Sequence, residues 1–444
     1  MARKKRIDMS ARLARVLPKA RICALAREHG VIRRHRRVRP VALLWSLVFG
    51  FVAVETRAIA GLRRFYGVQS GRSLSASAFY ARFSPALVRF LKGIVGGLLE
   101  RVCEPNRQLR GALAVFKDLV VTDATVMRLH DFLAKVYPGC RTNQSKAALK
   151  LHVVMSALAK GPRSVRITGE RKNDGHVLRV GPWVRGRLIL FDLAYFRYQL
   201  FDCIERNGGY FIARLMTNVN PTIVLVHRAW RGRAIELVDR RLLDVLTHLD
   251  REILDVEVEV GFQRRTFGGK RSDATTFFRL VGVRNEETRE LHLYLTNVPP
   301  HMLQPEDVAR TYRARWLVEI LFKELKSTFR IDRFPSANRN VVEALLYAAL
   351  IAAIVTRDLL AGVRMALGRD GRRATALRFA RLMRVYAADL LRAMLLGTRA
   401  PSMLSADLTE AILREARDPN RFRLNLLEEV EIGEAPCRRA SRAA

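Results

Sequence analysis

The chain has 444 residues, 49% of them apolar, which is enough core-forming material for one large domain or several ordinary ones and excludes wholesale disorder. Lys and Arg number 79 against 42 Asp and Glu, a net charge of +37 that repels itself in a compact state and that a polyanion would offset. Nucleic acid is therefore the first candidate partner, and a secreted enzyme of ordinary type is excluded. No membrane partner is expected: the longest apolar tracts, 341–355 (interrupted by Glu343) and 41–54, fall short of the roughly 20 residues a span requires. The N-terminus is basic but has no apolar signal core. The cysteines (Cys23, Cys103, Cys140, Cys203, Cys437) are scattered, with no zinc-type spacing, and fit a reducing cytoplasm.

Residues 1–112 read as a helical, basic region. An arm with Arg3, Lys4, Lys5 and Arg6 and the run Arg33-Arg34-His35-Arg36-Arg37 precede a helix over Glu55–Tyr66, a turn at Gly67, and a second helix from Ser75 through Arg82. This order is compatible with a helix-turn-helix that reads DNA, and equally with the solvated face of a helical bundle. Over 113–215 the period becomes strand-like. The apolar run Leu113–Thr122 leads into Asp123, strands follow at 148–158 and 164–168, and a loop spans 169–176. Then come a helix over 176–184, a strand Gly186–Phe191 ending at Asp192, a helix Tyr198–Arg206 closing on Gly208-Gly209, and a strand Tyr210–Leu215. That order is mixed α/β. Residues 216–298 are β-rich and read as an insertion. After Pro299-Pro300, the region 299–355 opens with a helix that Pro305, Glu306 and Asp307 suit to start and that is expected to run unbroken to about Phe329. Residues 356–444 read as helical, with a solvated tail from Gly433.

Within that helix, Tyr312, Arg315, Glu319 and Lys326 share one stripe: at about 100° per residue they fall within about 60° of one another. Leu317, Leu321 and Leu325 face the opposite way, toward a core. A carboxylate flanked by cations and a phenol suits a metal-bound phosphodiester. A solvated face with an Arg315–Glu319 i,i+4 pair would look the same. Asp123 and Asp192, each ending an apolar strand-like run, favour the first alternative, because sites collect at strand ends in α/β sheets. Three carboxylates converging on two hard cations are what two-metal phosphoryl transfer requires. Asp118, Asp202, Asp174 and His130-Asp131 lack that placement, and His176 is not expected in the site.

The spacing Tyr312-x2-Arg315-x3-Glu319-x6-Lys326 resembles the Y-R-E-K signature of DDE transposases of insertion-sequence family four. Asp123-Ala124-Thr125 is similar to that family's first Asp motif, and Asp192 through Phe196, with Arg214-Leu215, to its second. The loop from Thr168-Gly169-Glu170 to Asp174 resembles the segment between them. Ala124 and Ala194 stand where the family often has Gly or Ser and Gly respectively. The resemblance implies an α/β fold, a ribonuclease-H-like core interrupted by a β-rich insertion and flanked by helical N- and C-terminal regions. It implies a metal-dependent transposase that cuts and rejoins the ends of its own element, through a hairpin. Asp123, Asp192 and Glu319 would hold two Mg²⁺ ions, replaceable by Mn²⁺, and Tyr312, Arg315 and Lys326 would contact phosphate. Trp230, in the insertion, would stack on a flipped base. The expected partners are double-stranded DNA (terminal inverted repeats and target) and further copies of the chain, at the nucleoid of a bacterial cytoplasm. The alternatives are a related nuclease without strand transfer and a catalytically silent DNA-binding protein.

Overall fold

The computed structural model describes residues 9–32, 38–53, 58–102, 107–140, 145–159, 161–228, 236–249, 251–265, 272–331, 334, 336–367, 374–396, 410–419 and 426–434. The basic arm at 3–6, the arginine run at 33–37, Trp230, Cys103 and Cys437 lie outside the described residues.

The N-terminal helices are α1 (Met9–Val16), α2 (Lys19–Glu28), α3 (Pro40–Ala53), α4 (Ile59–Ser70), α5 (Ala76–Tyr80) and α6 (Pro85–Val102). Gly67 does not end α4; the helix continues to Gly71, whose φ of 65° gives the left-handed cap. Ser75 caps α5 by accepting from Ala78 N. The second helix of the expected pair has only five residues, and its Phe79 is buried against Tyr66 with ring centroids 6.1 Å apart.

One nine-stranded sheet carries the middle of the chain. In chain order its strands are β2 (Asp118–Arg128), β3 (Ala148–Ser156), β4 (Pro162–Gly169), β5 (Arg187–Phe191), β6 (Tyr210–Arg214), β7 (Thr222–Val226), β8 (Ile253–Gln263), β9 (Asp273–Arg284) and β10 (Leu291–Thr296). Their order across the sheet is β4-β3-β2-β5-β6-β10-β9-β8-β7. An antiparallel meander (β2, β3, β4) therefore lies beside two parallel strands, β5 and β6, in the ribonuclease-H-like arrangement. The strands of the β-rich region continue this same sheet from β6 outward, all antiparallel.

Alternation along the strands divides the core between two faces. Leu119, Val121, Leu188 and Leu190 join one cluster, and Val120, Ile189, Phe191 and Phe211 the other. The first face is covered by α6, α10 (Pro305–Tyr312) and α11 (Trp316–Ser327), with α12 (Arg339–Leu367) packed behind on α6 and α11. The second is covered by α8 (Tyr198–Arg206) and α9 (Leu242–Leu246), with Phe201 stacked flat on Phe211 at 4.3 Å. The expected helix over 176–184 is reduced to α7 (Asp174–Val177) and a 3-10 turn at Pro182–Val184. Gly181 and Pro182 interrupt the helical period there.

α12 is apolar and long enough to pass for a membrane span, yet 89% of its most apolar window is buried inside the protein. It packs against α3, α6 and the helix Ala376–Leu396, so the N- and C-terminal helices form one layer. The Arg12–Asp358 pair (2.7 Å) ties α1 into that layer. Gly433 and Glu434, expected in the solvated tail, are instead paired: Ile432–Glu434 lies antiparallel to β1 (Arg107–Leu109) in a small two-stranded sheet.

The entry into α10 is fixed by a buried ion pair. Arg279 on β9 holds Asp255 on β8 through two bonds (2.7 and 2.8 Å) and donates to the carbonyls of Val298 and Leu303, which lead into α10. Both side chains are 4% exposed, so removing one leaves the other charge stranded. We expect Asp255→Ala to lower the unfolding free energy by about 3–5 kcal/mol in denaturant titration. A loss below about 1 kcal/mol would show that this anchor matters little.

Candidate active site

The site starts from the pairing of β2 and β5. They run parallel with Val121 opposite Leu190 and Thr122 opposite Phe191. Asp123 and Asp192 are the next residues on each strand. By the two-residue period both point to the face covered by α11, from strands about 4.8 Å apart. Asp123 does not end its strand, as the sequence suggested. β2 runs on to Arg128 because its other edge stays paired with β3, and it is only the parallel neighbour that stops there. Asp192 does end β5 and opens a 3-10 turn, making no side-chain cap bond.

The Y-R-E-K helix is not continuous. α10 ends at Tyr312, a 3-10 turn spans Arg313–Arg315, and α11 begins at Trp316. Tyr312 stands at that junction. Its hydroxyl donates to the Phe191 carbonyl at 3.0 Å, pinning the helix junction to the strand end beside Asp192. Its ring packs on Tyr294 at 5.1 Å, and burial pushes its phenol well above the ordinary range.

Arg315 is the hub of the site. One guanidinium nitrogen lies 2.6 Å from Glu319 and 3.9 Å from Asp123. Although burial opposes it, Tyr312, Glu319 and Asp192 together hold this guanidinium in its charged form. Burial pushes the Asp123 carboxyl up to about 6, and the charges of Asp192 and Glu319 act in the same direction, against the hydrogen bond from Ala124 N (2.7 Å) and the charge of Arg315. The three carboxylates thus sense one another across a single guanidinium. Among the described residues no set of three or more His, Cys, Asp or Glu side chains is close-set enough to hold a metal ion. The carboxylates gather around Arg315 instead of a common point. Their oxygen-only donor set and their mutual repulsion nonetheless suit a hard divalent cation. Lys326 is exposed, two helical turns beyond Glu319, and makes no ion pair among the described residues.

The other acidic residues behave structurally. Asp118 opens β2, buried, and accepts from the Ser156 hydroxyl at 2.8 Å. Asp202 is buried on α8 and pairs with Arg206 (3.0 Å). Asp131 accepts from Lys146 N, and His176 is exposed. Asp174, expected in a solvated loop, is half-buried and lies 3.1 Å from Lys150. Next to it, burial drives His152 down to about 4, so the imidazole is neutral and bonds Thr168 Oγ1 at 2.8 Å. Sequence reasoning did not single out Tyr195, which is fully buried, feels the charges of Asp123 and Asp192, and has its hydroxyl bonded to Thr122. An aromatic three residues beyond Asp192 is its only sequence signal.

The transposase DDE domain family matches residues 115–355. The chain is 25% identical over 356 residues, covering 74% of each protein, to the transposase for insertion sequence element IS231F of Bacillus thuringiensis subsp. israelensis. It is 23% identical over 364 residues, 75% of this chain and 76% of the other, to the transposase for insertion sequence element IS1151 of Clostridium perfringens. A piggyBac transposase in a synaptic complex with hairpin DNA aligns with a TM-score of 0.43 and 13% identity over 88% of this chain and 81% of that one.

Because burial raises Asp123, its negative charge opposes folding above about pH 6, and the penalty fades as pH falls through 6 toward 3.8. Asp123→Asn keeps an oxygen for the Ala124 N–H and removes the charge. In buffer free of divalent cations we expect it to raise the unfolding free energy at pH 8 by roughly 2–3 kcal/mol, the gain vanishing near pH 4. A variant no more stable than wild type at pH 8 would contradict the burial of an ionised Asp123.

Proposed function

We propose, given that the chain belongs to the transposase DDE domain family, that it cuts DNA at the ends of its own insertion sequence and joins those ends to a target by metal-dependent phosphoryl transfer. What supports this mechanism above all is the parallel register that sets Asp123 beside Asp192 with Arg315 and Glu319 facing them. Asp123, Asp192 and Glu319 would hold two Mg²⁺ ions, and Mn²⁺ would fit the same oxygen donors. When bound, such ions activate the attacking oxygen and stabilise the leaving one.

The remaining work falls to this chain's own side chains. Tyr312 holds the helix junction against β5, so its part is positioning. Arg315 carries positive charge among the carboxylates and would pair with the charge of a phosphodiester brought there. Lys326, exposed farther along α11, meets the backbone of the same strand beyond the cut. The first cut, hydrolysis of one strand, would leave a 3′-hydroxyl, which would attack the facing phosphodiester of the opposite strand, forming the hairpin bond as the flanking DNA leaves on its own 3′-oxygen. Trp230 is assigned to stack on the base extruded there. Double-stranded DNA, as paired inverted repeats and as target, is the substrate, and two or more copies of the chain hold the ends together.

Cleavage of a plasmid carrying the gene's own flanks, in Mg²⁺, tests this. We expect wild-type cuts confined to the ends of the element, and Asp192→Asn to bind the same DNA while cutting more than about 100-fold more slowly. Binding without cleavage by wild type would point to a silent DNA-binding protein. Equal cleavage by both would remove Asp192 from the site.

A further inference from the structure

A second concave site lies across the sheet from α11. Thr122 precedes Asp123 on β2 and points to the opposite face, where it meets Tyr195. There, a cavity of about 390 Å³ opens between β4 and the Pro182–Val184 turn, with Arg163, Arg166, Arg179 and Trp183 among its walls. Its volume falls in the range of small-ligand pockets. Its lining includes no carboxylate, and the carboxylate that acts on Arg163 from behind the wall is the buried Asp118.

Two features show how the cationic wall is built. Between Val154 and Met155 the β3–β4 register shifts, so Arg163 is an extra residue in β4. The bulge brings Arg163, Ser164 and Arg166 to one cavity, where strict alternation would turn Arg163 away. The Arg163 guanidinium then lies over the Trp183 ring, 5.3 Å from its centroid, and the indole N–H is fixed on the Arg179 carbonyl at 2.9 Å. The result is a preset aromatic–guanidinium platform with two further cations beside it. Planar aromatic rings and guanidinium planes are surfaces on which unpaired bases stack, and arginine forks match phosphate.

We infer that this cavity holds one unpaired nucleotide of a DNA strand, its base against the Trp183–Arg163 platform and its phosphate on Arg166 and Arg179. The pocket and the carboxylates are back to back, joined by the consecutive residues Thr122–Asp123 and by the turn from Asp192 to Tyr195. A strand leaving the cut would reach it around the end of β5. The site rests on the DNA-transposing function proposed above and adds to it a grip on single-stranded DNA.

The test uses the full chain, a fluorescent single strand containing one 5-iodouracil, and a duplex of the same length. Wild type, Trp183→Leu and the surface variant Arg166→Ala are compared by anisotropy, and the photocrosslink is mapped by mass spectrometry. The expected result is a crosslink at Trp183, competition by deoxyadenosine monophosphate but not by equimolar inorganic phosphate, and about ten-fold weaker single-strand binding in each variant. Duplex binding should stay within about two-fold. If wild type binds both DNAs but the crosslink maps elsewhere and both variants bind the single strand normally, the pocket is not a nucleotide site. Equal competition by inorganic phosphate would reduce it to an anion site and overturn the base contact. If wild type binds neither DNA, the transposing function itself falls.

Discussion

The site depends on one constraint, the register of two parallel strands. With Thr122 opposite Phe191, the next residues, Asp123 and Asp192, stand side by side on the same face. A slip of one residue in either strand would turn one carboxylate into the aromatic floor on the other face, where Phe191, Tyr195 and Phe201 pack. The strands themselves enforce the register. Leu188 and Leu190 face one core while Ile189 and Phe191 face the other, so a slip would misplace four large apolar side chains as well as the aspartate. The same strand end also fixes the helix opposite, because the Phe191 carbonyl receives the Tyr312 hydroxyl.

Around this geometry the protein holds like charges close together at a cost to stability. Asp123, half-buried, lies beside two other carboxylates, and the Ala124 N–H and the Arg315 guanidinium offset their repulsion. Such an arrangement is destabilising by itself and is tolerated because neighbouring elements over-determine it. The Arg279–Asp255 pair is one of these, since it locks the β-rich region to the chain entering α10. Another is the single helical layer in which α12 joins the N- and C-terminal helices behind α11.

Much of this was legible in the sequence, for identifiable reasons. Helix α8 and strand β6 lie where periodicity put them, since Gly208 (φ 70°) leaves little freedom between them. Leu317, Leu321 and Leu325 are buried as the helical period requires. Local pattern failed where tertiary pairing decides. It ended β2 at Asp123, because only the parallel neighbour stops there while β3 carries the strand on. It drew one helix through Arg313–Arg315, because nothing in the composition marks a three-residue change of winding. It read Gly433 and Glu434 as tail, because a three-residue strand is visible only through its distant partner, Arg107–Leu109. The arginine pocket was invisible for the same reason: the bulge that aims Arg163 is a property of two strands together.

The claim on which the mechanism stands is that Asp123, Asp192 and Glu319 jointly form a divalent-cation site. The most direct test replaces Mg²⁺ with Fe²⁺ in the full chain bound to DNA and uses peroxide to cut the polypeptide next to the metal. We predict cuts beside residues 123, 192 and 319, suppressed by excess Mg²⁺ and absent in Asp192→Asn. Cuts that cluster elsewhere, or that persist unchanged in the variant, would contradict it.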